Sequence, residues 1–230
     1  MCFSAEASFT VGGALLPAGG FCIASALRKR PKYLPLAIVP FIFGLQQLSE
    51  GVVWIGIRRN DPELIRSASL VFLFFALAFW PFWFPLLTSV METRRARRHS
   101  FIILTIISTF WFWVLYYPLL TGPESLLVTE IINHSIQYDI LRLPIYNHVS
   151  VWPLRAFYFF CVALPLAFGS EGLGAIAGVI FGASAVFCGV VYAYAFVSVW
   201  CFFAAILTLY LCRIFYALPA REVRSEPART

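Results

Sequence analysis

Charge is what this sequence has least of: Asp, Glu, Lys and Arg together make up 12% of its 230 residues, against 61% hydrophobic and 18% aromatic. One soluble core of this length cannot bury so much apolar side chain, which excludes an ordinary water-soluble domain and requires lipid as a solvent. Histidine is scarce, with His99, His134 and His148 the three copies. No CxxC or Cys/His pair spacing occurs among the six cysteines, so the common zinc-site signatures are missing. Met1 to Thr10 contains no Lys or Arg, which rules out the basic start of a cleavable signal peptide. No internal repeat divides the chain into halves.

What is present is a succession of apolar runs of the length a helix needs to cross ~30 Å of hydrocarbon. They predict seven spans: Phe9 to Leu27, Pro35 to Ile57, Ala68 to Met91, Phe101 to Leu120, Trp152 to Phe168, Leu173 to Val190 and Tyr194 to Phe215. The last two are nearly continuous and read either as two helices joined tightly near Cys188 to Tyr194 or as one span. The fold class expected is therefore an all-α membrane protein, a seven-transmembrane helix bundle over 1–218, followed by a polar, disordered cytoplasmic tail over 219–230.

The net charge of +6 is clustered at helix ends and reports orientation rather than a nucleic-acid partner. Arg28, Lys29, Arg30, Lys32, Arg94, Arg95, Arg97, Arg98, Arg213, Arg221, Arg224 and Arg229 fall on one side, twelve residues against five on the other. The positive-inside rule then puts the N-terminus outside and the C-terminus in the cytoplasm. On the outer side lies the one long loop, about 121–151. Within it Leu127 to Ile132 and Ser135 to Ile140 are β-prone around Asn133 and His134, and predict a small hairpin. Prolines 17, 81, 85 and 165 predict kinks, and Gly12, Gly13, Gly19 and Gly20 a small-residue packing face on the first helix.

Against this background Gln46-Gln47-Leu48-Ser49-Glu50 stands out, because a charge inside hydrocarbon costs a few kcal/mol or more and is a functional candidate by default. Gln46, Gln47, Glu50 and Trp54 share one helical face through their i,i+3 and i,i+4 spacing. Glu50 sits seven residues, or ~10 Å, below the outer end of its helix; Cys201 lies at matching depth in the last span, with Ser198 a turn above. Arg155, His148, Cys2, Ser4 and Glu6 belong to the same side. The expectation is an outward-facing pocket with Glu50, Gln46, Gln47, Arg155 and Cys201 as ligand-binding residues, taking a small polar or cationic molecule, a metal ion or a lipid headgroup. Arg155 is the expected counter-ion of Glu50.

Each of these residues also has a structural reading. Glu50 and Arg155 can simply glue two helices together, and Gln46 and Gln47 can be interhelical hydrogen bonds worth ~1 kcal/mol each. Cys22, Cys161 and Cys212 read as small hydrophobes, and Cys2 as a packed thiol or the partner of Cys188 or Cys201 in a disulfide. The aromatic run Phe79 to Pro85 reads as packing, and Trp54, Trp111, Trp113, Tyr116, Tyr117 and Trp152 as an interfacial belt.

Three segments, Met1-Cys2-Phe3-Ser4-Ala5, Phe43 to Trp54 and Ser198 to Ala205, together resemble a family of bacterial polytopic integral membrane proteins of unknown function. That likeness covers most of the chain and implies a multi-pass protein of the bacterial cytoplasmic membrane; it brings no activity, substrate or cofactor. Two rival functions stay open beside ligand binding. One is a membrane-embedded hydrolase of a lipid or amide, with Cys2 and His148 joining Glu50 around a metal ion such as zinc or serving as nucleophile and base, for which seven-span ceramidase-like enzymes are a precedent by fold analogy alone. Its weakness is a final span without histidine. The other is an accessory subunit of a larger membrane-protein complex.

Overall fold

The computed structural model describes residues 4–170 and 172–218, apart from the side chains of 172–177 and Ala193. Cys2 and the tail 219–230 lie outside the described residues. Helix α1 (Ala5–Lys29) begins where the Ser4 hydroxyl accepts a hydrogen bond from the Ala7 N–H at 3.2 Å. Two short helical turns, Pro31–Tyr33 and Leu34–Ala37, lead into α2 (Val39–Arg59). That helix ends because Asn60 turns left-handed at φ 50°. Asp61 then caps α3 (Pro62–Leu73), accepting from the Leu64 N–H at 3.0 Å, and Pro62 takes the first helical position, where it costs nothing.

Helix α3 runs through a π-helical stretch, Phe74–Phe79, into α4 (Trp80–Met91). The same device recurs in α5 (Arg95–Trp111), which widens over Phe112–Tyr116 before a last helical turn, Tyr117–Thr121. Each widening ends just ahead of a proline, Pro81 and Pro118. A proline ring clashes with the carbonyl four residues back, and a π turn moves that carbonyl aside. Pro17, Pro85 and Pro165 sit inside helices that continue through them.

The hairpin expected from the sequence is present: β1 (Val128–Ile132) pairs antiparallel with β2 (Ser135–Asp139), Ile132 opposite Ser135. Asn133 and His134 form its two-residue turn with φ 47° and 62°, the left-handed geometry that matches strand twist. Helix α6 (Val151–Phe168) follows, then α7 (Gly172–Val191) and α8 (Phe196–Ala217). The chain breaks helix between Val191 and Phe196, so the long apolar stretch is two helices rather than one.

Among the described residues six helical stretches are long and apolar enough to cross a membrane, from Ala5–Lys29 to Phe196–Ala217, and Gly178–Val191 of α7 is a shorter apolar stretch. Their outward faces carry exposed Ile103, Ile106, Phe110, Val179, Val186 and Val190, an apolar surface suited to lipid. Packing is closest between α1 and α2. A Cβ on Gly19 would lie 2.5 Å from the Phe41 nitrogen, and one on Gly12 2.8 Å from Leu48, whereas Gly13 and Gly20 face open space. The expected small-residue face therefore narrows to one seven-residue stripe. At the end of the bundle away from the hairpin, Lys29 donates to the Phe215 and Tyr216 carbonyls and ties the C-termini of α1 and α8 together.

Candidate functional site

Glu50 is wholly enclosed, as are Gln46 and Gln47 on the same face of α2. The face points inward because α1, α3 and α8 pack around this helix and leave no lipid contact for it. The Gln46 side-chain carbonyl accepts the Trp80 indole N–H at 2.7 Å, with the Trp80 ring stacked on Phe43 at 3.9 Å between centroids. From α8, the Ser198 hydroxyl faces the Glu50 carboxyl, and the Cys201 thiol lies beside the Gln46 amide within electrostatic range of Glu50. No donor among the described residues meets either Glu50 oxygen in full hydrogen-bond geometry, and the Gln47 amide and Trp54 indole N–H likewise have no described partner. Ungated by water, such groups cost about 1–3 kcal/mol apiece.

Ser198 and Cys201 have a second neighbour. They belong to the wall of a cavity of about 240 Å³ at the hairpin end of the bundle. Its lining comes from five elements: the hairpin and the turn after it (Ile136 to Leu141), the π-helical stretch (Ala76, Leu77), α5 (Trp111, Leu115), α6 (Leu154, Arg155, Tyr158) and the start of α8. The hairpin is held over it by Ile136 and Tyr138, which are buried, with Tyr138 stacked on Phe72 at 4.9 Å. Thus a polar cluster on α2 and an aromatic cavity share two residues of α8.

Arg155 lines the cavity but does not pair with Glu50. Its guanidinium carbon lies 5.7 Å from the ring centroids of both Trp152 and Phe196, an arrangement worth about 0.5–2 kcal/mol depending on desolvation. The ion pairs among the described residues are Arg58–Glu6, Arg66–Glu124 and Arg97–Glu92, none of which includes Arg155 or Glu50. The expected Glu50–Arg155 pair is therefore corrected: one residue belongs to the polar cluster, the other to the aromatic cavity. Tyr146 sits near Arg155 and Asp139 in the loop before α6, and burial raises its phenol above the ordinary value.

The metal triad expected from the sequence is not assembled by the described residues. Glu50 is enclosed, His148 is exposed in the loop, and Cys2 lies outside the described residues. Among the described residues no group of three His, Cys, Asp or Glu side chains is placed to hold an ion. Cys188 and Cys201 are both free thiols.

One strongly bonded carboxylate escaped notice in the sequence. Glu92, in the turn between α4 and α5, accepts from the Thr93 and Arg94 N–H groups at 2.8 Å each, from the Ser170 N–H at 3.0 Å and from the Ser170 hydroxyl, with Arg97 Nε at 3.6 Å. Burial pushes this carboxyl upward, but the Ser170 and backbone donors together with the Arg97 charge outweigh it and hold the group at about 2. The cluster ties the α4–α5 turn to the end of α6. Its signal was an acid isolated in an arginine-rich turn, where an anion is sure to find donors.

No curated protein and no solved structure matches the chain. Residues 1–226 match the model of a family of unknown function, DUF6629, and the chain belongs to that family.

Proposed function

We propose that this member of DUF6629 is a ligand-binding protein of a bacterial inner membrane, crossing it seven times with its N-terminus outside and its C-terminal tail, 219–230, in the cytoplasm. The ligand site is the hairpin-end cavity, open to the outer side. Arg155, Ser198 and Cys201 stand in its wall, and Glu50, Gln46 and Gln47 form a buried polar layer behind Ser198 and Cys201, outside the lining. The observation that carries the reading is this sharing of Ser198 and Cys201 between a buried carboxylate and a cavity of about 240 Å³. An ionisable side chain retained in an apolar bundle without a described counter-ion is costly, which makes it a candidate for function.

Support for the orientation comes from the ends of the helices. Lys29 and the α8 C-terminus lie together, and the Trp83 indole, toward the α4–α5 turn, donates to the Pro35 carbonyl in the short helical turn before α2. The basic turns thus gather at the end opposite the hairpin, as a cytoplasmic face would.

Native mass spectrometry on protein released from lipid nanodiscs tests the binding reading. A bound small molecule or ion is expected on the wild type and is expected to be lost from Val151→Trp, which blocks the cavity wall, and weakened in Glu50→Gln. A wild type carrying nothing, together with a Glu50→Gln protein that fails to accumulate, would make Glu50 a structural residue and end the proposal. A reporter fused after Arg229 is expected in the cytoplasm; a signal from outside overturns the seven-span topology.

A further inference from the structure

We infer that the hairpin-end cavity takes an organic anion with a small apolar body, its carboxylate or phosphate head bound by Arg155; this rests on the binding reading above and names the ligand class. A guanidinium keeps its charge throughout the physiological range and offers five N–H donors in one plane. In Arg155 neither resource is spent. No described carboxylate forms an ion pair with it; the Trp152 and Phe196 rings lie 5.7 Å from its guanidinium carbon, and the Tyr146 phenol is close enough to feel its charge. Ring contacts at 5.7 Å use none of its N–H donors, and no hydrogen bond from them to another described residue is made, so the edge that grips a carboxylate or phosphate through two parallel bonds is available.

The surroundings argue for the same ligand. Among the described residues Asp139 is the one carboxylate in the lining, and its Oδ1 accepts the Leu141 N–H at 2.9 Å. Tyr146 adds a phenol near the charge and Tyr194 a second one in the lining, while Trp111, Leu115, Leu154 and Trp200 make the remaining wall apolar. Phe196 stacks on Trp200 at 5.5 Å, so the ring beneath Arg155 is continuous with that apolar wall. A ligand satisfying both parts is charged at one end and oily at the other. At about 240 Å³ the cavity falls below the ~300–1,000 Å³ typical of drug-sized ligands. One short chain or one ring fits; a two-chain lipid does not. The acid could arrive from water or through the bilayer, and the recognition chemistry is the same.

The test compares octanoate, 1-octanol and octylammonium as probes of the full chain in zwitterionic nanodiscs, read by thermal melting and by titration calorimetry. Octanoate is expected to bind more tightly than 1-octanol, and Arg155→Gln to weaken it by roughly tenfold or more while leaving 1-octanol unchanged. Arg155→Lys, which keeps the charge and loses the fork, is expected to fall between. If 1-octanol binds as tightly as octanoate, or Arg155→Gln leaves octanoate binding intact, the anion inference is overturned while the cavity remains a binding site. If none of the three probes binds, the binding reading fails and this inference with it. Adding hexadecanoate to the bilayer separates the sources: displacement of octanoate supports an acid entering through lipid, and persistence supports one entering from water.

Discussion

The Trp80 indole donates to the Gln46 side chain across 2.7 Å with both residues shut off from solvent, joining α4 to α2 at the depth of the polar cluster. A buried acceptor that loses its donor has no water to turn to. Trp80→Phe is expected to destabilise the protein by about 2–4 kcal/mol, combining the orphaned carbonyl with a smaller ring against Phe43. Gln46→Leu in the same background should restore part of that loss, because both polar partners are then gone. Melting in nanodiscs followed by fluorescence checks both variants; a double variant no better than Trp80→Phe alone would mean that the bond itself carries little.

Glu50 makes the opposite prediction. A buried carboxyl with no described counter-ion is costly to ionise, so an amide of the same shape removes that cost. Glu50→Gln is expected to accumulate normally and to melt at the wild-type temperature or higher, whereas Glu50→Lys should fail to accumulate. A Glu50→Gln protein that melts well below wild type would identify a structural partner for the carboxylate.

Neighbouring glycines in α1 should behave differently although the sequence treats them alike. Gly19→Ala places a methyl 2.5 Å from the Phe41 backbone, and neither helix can yield cheaply; a loss of about 1–3 kcal/mol is expected. At Gly20 nothing stands within 4 Å, so Gly20→Ala should be neutral or stabilise by up to about 1 kcal/mol by restricting the unfolded chain. Parallel melts of the two variants test the α1–α2 crossing; equal effects would refute it.

Hydropathy made the apolar helices legible, but it reads the stretch immersed in hydrocarbon and not the helix. Ala68 begins the apolar run of α3, yet the helix starts at Pro62, since the Asp61 cap and the backbone bonds carry it past Glu63 and Arg66. Similarly α5 begins at Arg95 rather than Phe101. Depth counting along two helices put Glu50 and Cys201 at one level, and the packing of α8 on α2 brings Cys201 beside Gln46 and within electrostatic range of Glu50. Arg155 was harder, because depth says nothing about azimuth: α6 turns this residue toward Trp152 and Phe196. Of the cavity the sequence offered Arg155, Ser198 and Cys201, but not the other walls, which come from segments scattered between Ala76 and Trp200.

Glu92 gives the fold its clearest pH dependence. The carboxyl is held at about 2 against an ordinary 4.5. A group depressed on folding stabilises the native state above its unfolded value, and that contribution disappears as pH falls from 4.5 toward 2. The wild type should therefore lose melting temperature more steeply than Glu92→Gln as acid is added below about pH 5, and the two curves should converge near the bottom of that range. At neutral pH Glu92→Gln is expected to cost about 1–3 kcal/mol, because an amide cannot replace an anion before this set of donors. Ser170→Ala removes the hydroxyl but leaves the Ser170 N–H bond in place, so it should move the acid transition to higher pH without abolishing it. Parallel acid curves for wild type and Glu92→Gln would show that the turn between α4 and α5 is held by something other than this carboxylate.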